Sequence, residues 1–274
     1  MKINGWKYYN HAAIPKTAPH EKVDVHPIKD KTIWKMDGNP YFARWTDNFD
    51  CGYETEWWYC IKDEPFDISK INSKKRYEIN KGKKNFDVHV IDPTEYVDEI
   101  VEVQKNAWKN YPEAYRPDIN IEKMKKNVLG WGAFKVFGAF GIDDGKLHAF
   151  SYLEEHDAWA NLSVLKADPD YEKFAINAAL VSEIVEYYNP KIANGFYICD
   201  GERNTVHVTG FQSYLIKYFE FRNAYCTLNI KYKPGFNLAI KLSHPFRFIL
   251  DRMDGNSLVH KVNAILKMDE IARK

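Results

Sequence analysis

The chain has 274 residues, of which 45% are hydrophobic, and this share is ample for a buried core. Lysine and arginine total 39 against 38 acidic residues, so no net field attracts nucleic acid or an anionic surface, and any basic site must be local. The N-terminal segment lacks the apolar run of a signal peptide and no stretch has the length of a membrane span, so we expect a cytoplasmic protein without such a span.

The cysteines are scattered, with no CxxC pair and no histidine at metal-ligand spacing; they are Cys51, Cys60, Cys199 and Cys226. We expect buried, reduced thiols and no metal site. Aromatic residues make up 15% of the chain. Much of that share is core, but Tyr and Trp also line clefts that bind flat or extended ligands.

Residues 1–65 are rich in Pro, Trp and Tyr and weak in periodicity, which predicts short strands and loops. The best strand among them is YETEWWYCI, from Tyr53 to Ile61. The following segment, FDISKINSKKRYEINKGKK, has near-helical spacing of its apolar residues and a stop signal at Gly82. It predicts a basic, amphipathic helix.

From Phe86 the pattern becomes regular, beginning with the alternating strand NFDVHVI. Asp92 as a cap and Pro93 at the first helical position predict a helix, and a shorter helix is expected at about Ile121 to Leu129. The segment FKVFGAFGIDDGKLHAFSYLEE predicts a hairpin, and AWANLSVLKA predicts another strand.

Asp168 and Pro169 repeat the cap-and-proline pattern and predict a helix through Tyr188. After the strand NGFYICD, Thr209 and Gln212 form a capping box that opens the next helix. The strand AYCTLNIKY and a last amphipathic helix from about Ser257 complete the chain. The element order predicts an α+β protein with a mixed, mostly antiparallel sheet flanked by helices and an N-terminal strand, loop and helix extension.

From Phe86 to Lys233 this order resembles the GNAT acyltransferase fold, most clearly in YLIKYFEFRNAYCTLNI. There Glu220 and Phe221 stand where that family usually has Gly and Phe. The upstream SKINSKKRYEINKGKKNFDVHVI is similar to the basic helix of the bacterial Fem-type relatives, which pass aminoacyl groups onto cell-wall peptides. The resemblance implies an N-terminal extension over 1–84, an acyltransferase domain over 85–235 and a helical tail over 236–274.

The segment before the long helix departs from the GNAT pattern that binds the diphosphate of coenzyme A. That pattern uses glycines and bare backbone N–H groups at a helix N-terminus, whereas this chain has KADPDYEKFAINA. Pro169 removes a donor, and Asp170 and Glu172 already complement the helix dipole. Lys166 and Lys173 are the candidate cofactor-binding residues and offset this in part. The segment therefore disfavours acyl-CoA, and both acyl-CoA and aminoacyl-tRNA stay open as donors.

The resemblance places the reaction where two central strands splay, here near the end of the strand at Asp200. Asp200, Glu202 and His207 are the candidate acids and bases, and Arg203 is a candidate to bind a substrate carboxylate or phosphate. The alternative interpretation of this segment is a solvated polar turn. No Ser or Cys lies in a nucleophile motif, so direct attack in a ternary complex is implied.

Further substrate-binding candidates precede the regular region. Glu54 and Glu56 alternate on the predicted strand, so they either face solvent or line a cleft beside Trp57. Arg76 belongs to a basic run that is either a solvated helix face or a patch for tRNA or a substrate phosphate.

Two functions follow from these patterns. The first is a Fem-related acyl or aminoacyl transferase that acts on an amine or hydroxyl of a cell-envelope, cell-wall or sugar-linked acceptor, which includes a role in polysaccharide biosynthesis. The second is a binding module that keeps the fold but has lost donor binding. The sequence names neither the acceptor nor the oligomeric state.

Overall fold

A computed structural model describes residues 1–109, 111, 116–203, 210–255 and 257–274. The strands are β1 (Trp6–Tyr9), β2 (Ala12–Pro15), β3 (Phe42–Asp47), β4 (Trp57–Lys62), β5 (Phe86–Ile91), β6 (Lys135–Gly141), β7 (Leu147–Glu155), β8 (Trp159–Ala167), β9 (Tyr197–Glu202) and β10 (Arg222–Tyr232). The α-helices are α1 (His26–Lys29), α2 (Ser73–Asn85), α3 (Val97–Trp108), α4 (Ile121–Leu129), α5 (Ile176–Ile192), α6 (Gly210–Phe219), α7 (Phe236–Ser243), α8 (Arg247–Arg252) and α9 (Ser257–Ala272).

The chain divides into two compact units. The first comprises Met1–Cys60, Glu202–Gly210 and Asn223–Lys274, and the second comprises Ile61–Gly201 and Phe211–Arg222. Because the chain passes between them several times, β4, β9 and β10 each contribute residues to both units. The predicted boundaries at 84 and 235 stay a prediction.

In the second unit the strands follow the order β9-β8-β7-β6-β5. β5 to β8 pair antiparallel, and β8 with β9 is a parallel pair. One sheet face packs against α3 and α4 through an apolar cluster that includes Ile100, Val128 and Phe150, each almost fully buried. The first turns of α5 are apolar on several sides, and the helix is buried along most of its length. It packs against α2 and against strands β5, β6 and β7.

In the first unit the strands follow the order β1-β2-β3-β10, with the first part of β4 beside β10. β3 pairs antiparallel with β10 and parallel with β2. A separate core lies here, built on Trp6, Ala13 and Ile33. The predicted α+β class, with mostly antiparallel strands flanked by helices, is confirmed. Within the described ranges, none of the helices combines the length and apolar composition needed to cross a membrane.

Two predicted helix starts are wrong, and in both the capping aspartate closes a different turn. Asp92 accepts hydrogen bonds from the backbone N–H and the hydroxyl of Thr94, at 2.9 and 2.7 Å, so α3 begins only at Val97. Asp168 caps a 3₁₀ helix over Pro169–Phe174. Ala175, at φ 65°, then breaks the right-handed helical backbone between this turn and the start of α5.

Two other local predictions are corrected. Gly82 does not end α2, which continues to Asn85; instead Gly82 is a buried point of close packing. Glu54 and Glu56 precede β4 rather than alternating along it, so they do not share a strand face. Glu220 adopts φ 58°, a left-handed backbone conformation that glycine adopts most easily.

Candidate functional site

The second unit contains an opening between two neighbouring strands, β8 and β9. β8 and β9 pair for only three residues, from Trp159–Tyr197 to Asn161–Cys199, although β8 continues to Ala167. Beyond Asn161, the edge of β8 that faced β9 has no strand partner among the described residues. Because backbone N–H and C=O groups require partners, this edge is suited to hold a ligand by main-chain hydrogen bonds.

Asp200 is the first residue of β9 beyond the last paired position and is half-buried. Burial raises the pKa of the Asp200 carboxyl from its ordinary 3.8 to about 7, since the charged form loses hydration. The amide Nε2 of Gln212, on α6, donates to the Asp200 carbonyl oxygen at 3.3 Å. Gly201, at φ 86°, turns the backbone immediately afterwards, which only glycine does without strain. A carboxyl poised near neutrality is suited to proton transfer.

A chain of polar side chains follows β8 at the same opening. Asn161 Nδ2 donates to Ser163 Oγ at 2.8 Å, and Ser163 Oγ donates to Glu154 Oε1 at 3.4 Å. The register between β7 and β8 shifts at this point, which leaves Ser163 as a bulged residue. The sequence interpretation missed these residues. Their signal was the presence of Asn and Ser inside an otherwise apolar interior strand.

His207 lies outside the described residues, as does Thr209 of the predicted capping box. Their predicted roles stay predictions. Gln212, the other member of that box, donates a hydrogen bond to the Asp200 carbonyl oxygen on β9.

Glu202 belongs to the first unit and its carboxylate is fully engaged there. It forms an ion pair with Arg44 and accepts hydrogen bonds from Trp57 Nε1 at 3.1 Å and Tyr59 Oη at 3.4 Å. The Arg44 guanidinium also lies 5.8 Å from the Trp57 ring centroid. This is the arrangement of a structural ion pair, so it gives Glu202 and Trp57 a role in holding the strands of this unit. Their predicted catalytic and binding roles stay untested.

Arg203 and Glu56 also lie together in the first unit. The Arg203 guanidinium stacks 4.6 Å from the Trp58 ring centroid and donates to the Glu56 carbonyl oxygen. The Glu56 carboxylate forms an ion pair with Lys274, and a hydrogen bond from that lysine lowers the carboxyl's pKa. Glu54 is exposed. The predicted roles of Arg203, Glu54 and Glu56 in binding a substrate stay predictions.

Arg76 is occupied by the backbone of its own unit. Its Nε donates to the Ile68 carbonyl at 3.1 Å, and its Nη2 donates to the carbonyls of Ser69 and Ile71 at 2.7 and 2.9 Å. These bonds fix the turn that precedes α2. They give Arg76 a structural explanation, and its predicted substrate contact stays a prediction.

The segment between β8 and α5 does not fit the diphosphate of coenzyme A. The exposed 3₁₀ turn presents Asp170 and Glu172, and the backbone N–H of Asp170 already donates to the Asp168 carboxylate at 3.0 Å. Lys166 donates to the Tyr111 hydroxyl at 2.7 Å, and Lys173 lies over the Phe174 ring. Both lysines contact aromatic side chains, and no contact among the described residues directs either of them toward the N-terminus of α5.

The first turn of α5 is also covered by another helix. A Cβ at Gly82 of α2 would lie 2.5 Å from the carbonyl oxygen of Ala175 and 2.8 Å from the amide nitrogen of Ala179. This contact puts the backbone of α2 directly against the α5 N-terminus on that side. Little room is left on that side for a phosphate at the N-terminus of α5.

The described residues contain no group of three or more His, Cys, Asp or Glu side chains arranged to hold a metal ion. No known family profile matches the chain, and no curated protein sequence is significantly similar to it.

Solved structures do share the fold. The structure of L-PGS from Bacillus licheniformis matches with a TM-score of 0.50 at 11% identity, over 98% of this chain and 85% of that chain. The C-terminal DUF2156 domain of a protein named as a lysylphosphatidylglycerol synthetase from Agrobacterium fabrum matches with a TM-score of 0.50 at 10% identity, over 86% and 82%. A tandem GNAT protein from the clavulanic acid biosynthesis pathway matches more weakly, with a TM-score of 0.41 at 11% identity over 82% and 76%. The chain therefore shares its fold with the first two of these structures.

Proposed function

We propose that this chain transfers an acyl or aminoacyl group to an amine or hydroxyl of a cell-envelope or sugar-linked acceptor, with Asp200 as the general base. The observation that carries the proposal is the opening of the β8–β9 pair directly before Asp200. It combines an unpaired strand edge, a half-buried carboxyl and the polar side chains of Asn161 and Ser163 in one unit. Acyl transfer needs these three elements: a binding edge, a proton acceptor and hydrogen-bond donors for the developing oxyanion.

The reaction is a direct displacement. The acceptor nitrogen or oxygen attacks the carbonyl carbon of the donor while its proton passes to the Asp200 carboxylate. The new C–N or C–O bond forms, the bond to the leaving oxygen breaks, and the leaving group takes up a proton. A pKa of about 7 for Asp200 keeps a large fraction of the carboxylate ionised at neutral pH while leaving it basic enough to accept that proton.

The donor is an aminoacyl ester rather than a coenzyme A thioester. The acidic turn at Asp170 and Glu172, and the packing of Gly82 on the α5 N-terminus, both disfavour a diphosphate there. One of the two structures that share the fold at a TM-score of 0.50 is named as a lysylphosphatidylglycerol synthetase, and this name supports an aminoacyl donor. A relation to the Fem-type enzymes is compatible with this donor.

The donor is tested by thermal shift. A ligand at 100 times its dissociation constant should stabilise the protein by about 2.7 kcal/mol. We expect no saturable shift with CoA, acetyl-CoA or longer acyl-CoAs. A saturable shift would show that the acidic turn admits the diphosphate after all.

The activity is tested by transfer of a radiolabelled amino acid from a mixed aminoacyl-tRNA pool to extracted envelope lipids and glycans. We expect transfer by the wild type, a loss of at least 100-fold in Asp200→Asn, and wild-type rates in Asp157→Asn, a matched change at an exposed aspartate of the same unit. The poor fit of the segment between β8 and α5 to a coenzyme A diphosphate also agrees with the second function, a binding module that has lost donor binding. That function predicts saturable binding of a partner, equal in both variants, with no turnover.

A further inference from the structure

A group of exposed apolar side chains lies on α7, on α8 and on the residues between and directly after them. Among the described residues, 19 large hydrophobic side chains are exposed, and six of them fall within the 16 positions from 238 to 253. The others are spread over the rest of the described chain. The six form what we call the C-terminal apolar surface: Leu238, Leu242, Phe246, Phe248, Ile249 and Met253.

Helical spacing brings these side chains together. Leu238 and Leu242 are four residues apart on α7, while Ile249 on α8 and Met253 directly after it have the same spacing. Phe248, at 62% exposure, is as open to solvent as any of them. From the exposed fractions, the six residues together expose roughly 600 Å², which matches the largest apolar patches on monomeric proteins, and such patches are often functional.

The opposite side of α7 and α8 packs against other parts of the first unit, chiefly α9. Ile240 is 3% exposed, and His244 Nε2 lies 2.7 Å from Asp269 Oδ2 on α9. Arg247 forms an ion pair with Glu270, also on α9. The inward side of α7 and α8 is therefore anchored by both apolar and polar contacts. The outward apolar residues are held in place rather than left over from an unpacked tail.

The segment that carries the surface is itself positively charged. Between 236 and 253 the chain carries three basic residues and one acidic residue, which gives a net charge of +2. Asp251 is ion-paired with Arg247, whereas Lys241 and Arg252 are exposed and no ion pair is seen for either among the described residues. Leu, Phe and Ile beside unpaired Lys and Arg are the composition of segments that lie in a membrane interface.

We propose that the C-terminal apolar surface docks on a membrane surface that contains anionic lipids. The aromatic and aliphatic side chains enter the region between headgroups and acyl chains, and Lys241 and Arg252 face the phosphates. A second copy of the chain is a poorer occupant, because a two-fold contact through this patch would bring the same basic residues toward each other. The inference does not depend on the transferase proposal, since membrane binding is measured without a donor.

The test is flotation of the full chain with vesicles of phosphatidylcholine alone and of equimolar phosphatidylcholine and phosphatidylglycerol. We expect binding to the second kind, weakened by added salt. The double variant Phe246→Ser with Phe248→Ser should lower the partition coefficient at least tenfold. The double variant Lys241→Gln with Arg252→Gln should lower it about 30-fold at low salt, since each basic residue near an anionic surface contributes about fivefold.

A matched control places the same kind of change elsewhere: Leu129→Ser with Ile142→Ser, two exposed apolar residues of the second unit. It should bind as the wild type does. All variants are checked for wild-type thermal unfolding. Absence of vesicle binding, or equal binding of the Phe246 and Phe248 variant, would overturn the proposal. So would a dimer in lipid-free buffer that the same two changes dissociate, because a second copy would then be the occupant.

Discussion

Replacing Asp200 by Asn should stabilise the protein at alkaline pH while it removes the proposed base. The asparagine side chain has nearly the shape of the protonated carboxyl and carries no charge. In the wild type, burial raises the pKa of the Asp200 carboxyl to about 7, so the folded protein holds this proton more tightly than the unfolded chain does.

The size of the effect follows from that shift. Each pKa unit corresponds to 1.36 kcal/mol, so a rise from 3.8 to about 7 amounts to up to about 4 kcal/mol. Because the folded-state pKa is raised, the contribution is fully present below pH 4 and is lost as the pH rises through 7. Asp200→Asn has no carboxyl to ionise at this position, so its unfolding free energy does not fall in this way as the pH rises. The difference in unfolding free energy between Asp200→Asn and wild type should therefore grow across that range and level off above pH 7.

Urea unfolding of both proteins at intervals between pH 5 and 8.5 measures this difference directly. Asp157→Asn serves as the control, because Asp157 is exposed and its replacement should give a difference that does not vary with pH. A constant difference for Asp200→Asn over the same range would refute the assignment of a raised pKa, and with it the physical basis for a base that acts near neutrality.

Two further changes probe contacts that shape the units. Gly82→Ala should destabilise by about 2 kcal/mol in urea unfolding, because the new Cβ meets backbone atoms that cannot rotate away, whereas Gly132→Ala, with open space around it, should be nearly neutral; equal effects would contradict the close packing. Glu202→Gln should cost about 2 kcal/mol by leaving Arg44 without its charged partner, and Glu64→Gln, at an exposed position, should cost little. If Glu202→Gln left the unfolding free energy unchanged, the ion pair with Arg44 would not be needed for stability, and the Glu202 carboxylate of the wild type would be available for chemistry.

Regular segments with strong patterns were predictable from the sequence. The hairpin of β6 and β7 comes from a local signal, the DDG turn, and both this hairpin and helix α4 appear where they were predicted. The errors came where one residue type supports two structures. Asp92 and Asp168 satisfy nearby backbone N–H groups in turns as readily as at helix N-termini, so the sequence alone does not decide between them.

The candidate site was only partly predictable. Asp200 stood out because it ends an apolar strand, and its raised pKa depends on burial that only the fold reveals. Glu202, two residues later, looked equivalent, but its ion pair with Arg44 joins residues 158 positions apart, which no local pattern shows. Likewise, the bulge at Ser163 depends on the register of β8 against β7.

The most direct test of the central claim is the pH dependence of kcat/KM for aminoacyl transfer. With Asp200 as the general base, the rate should rise about tenfold per pH unit below neutrality and level off above about pH 7, and Asp200→Asn should lose at least 100-fold at the plateau. A profile that is flat from pH 5 to 8, with full activity in Asp200→Asn, would contradict the account and place the chemistry elsewhere in the fold.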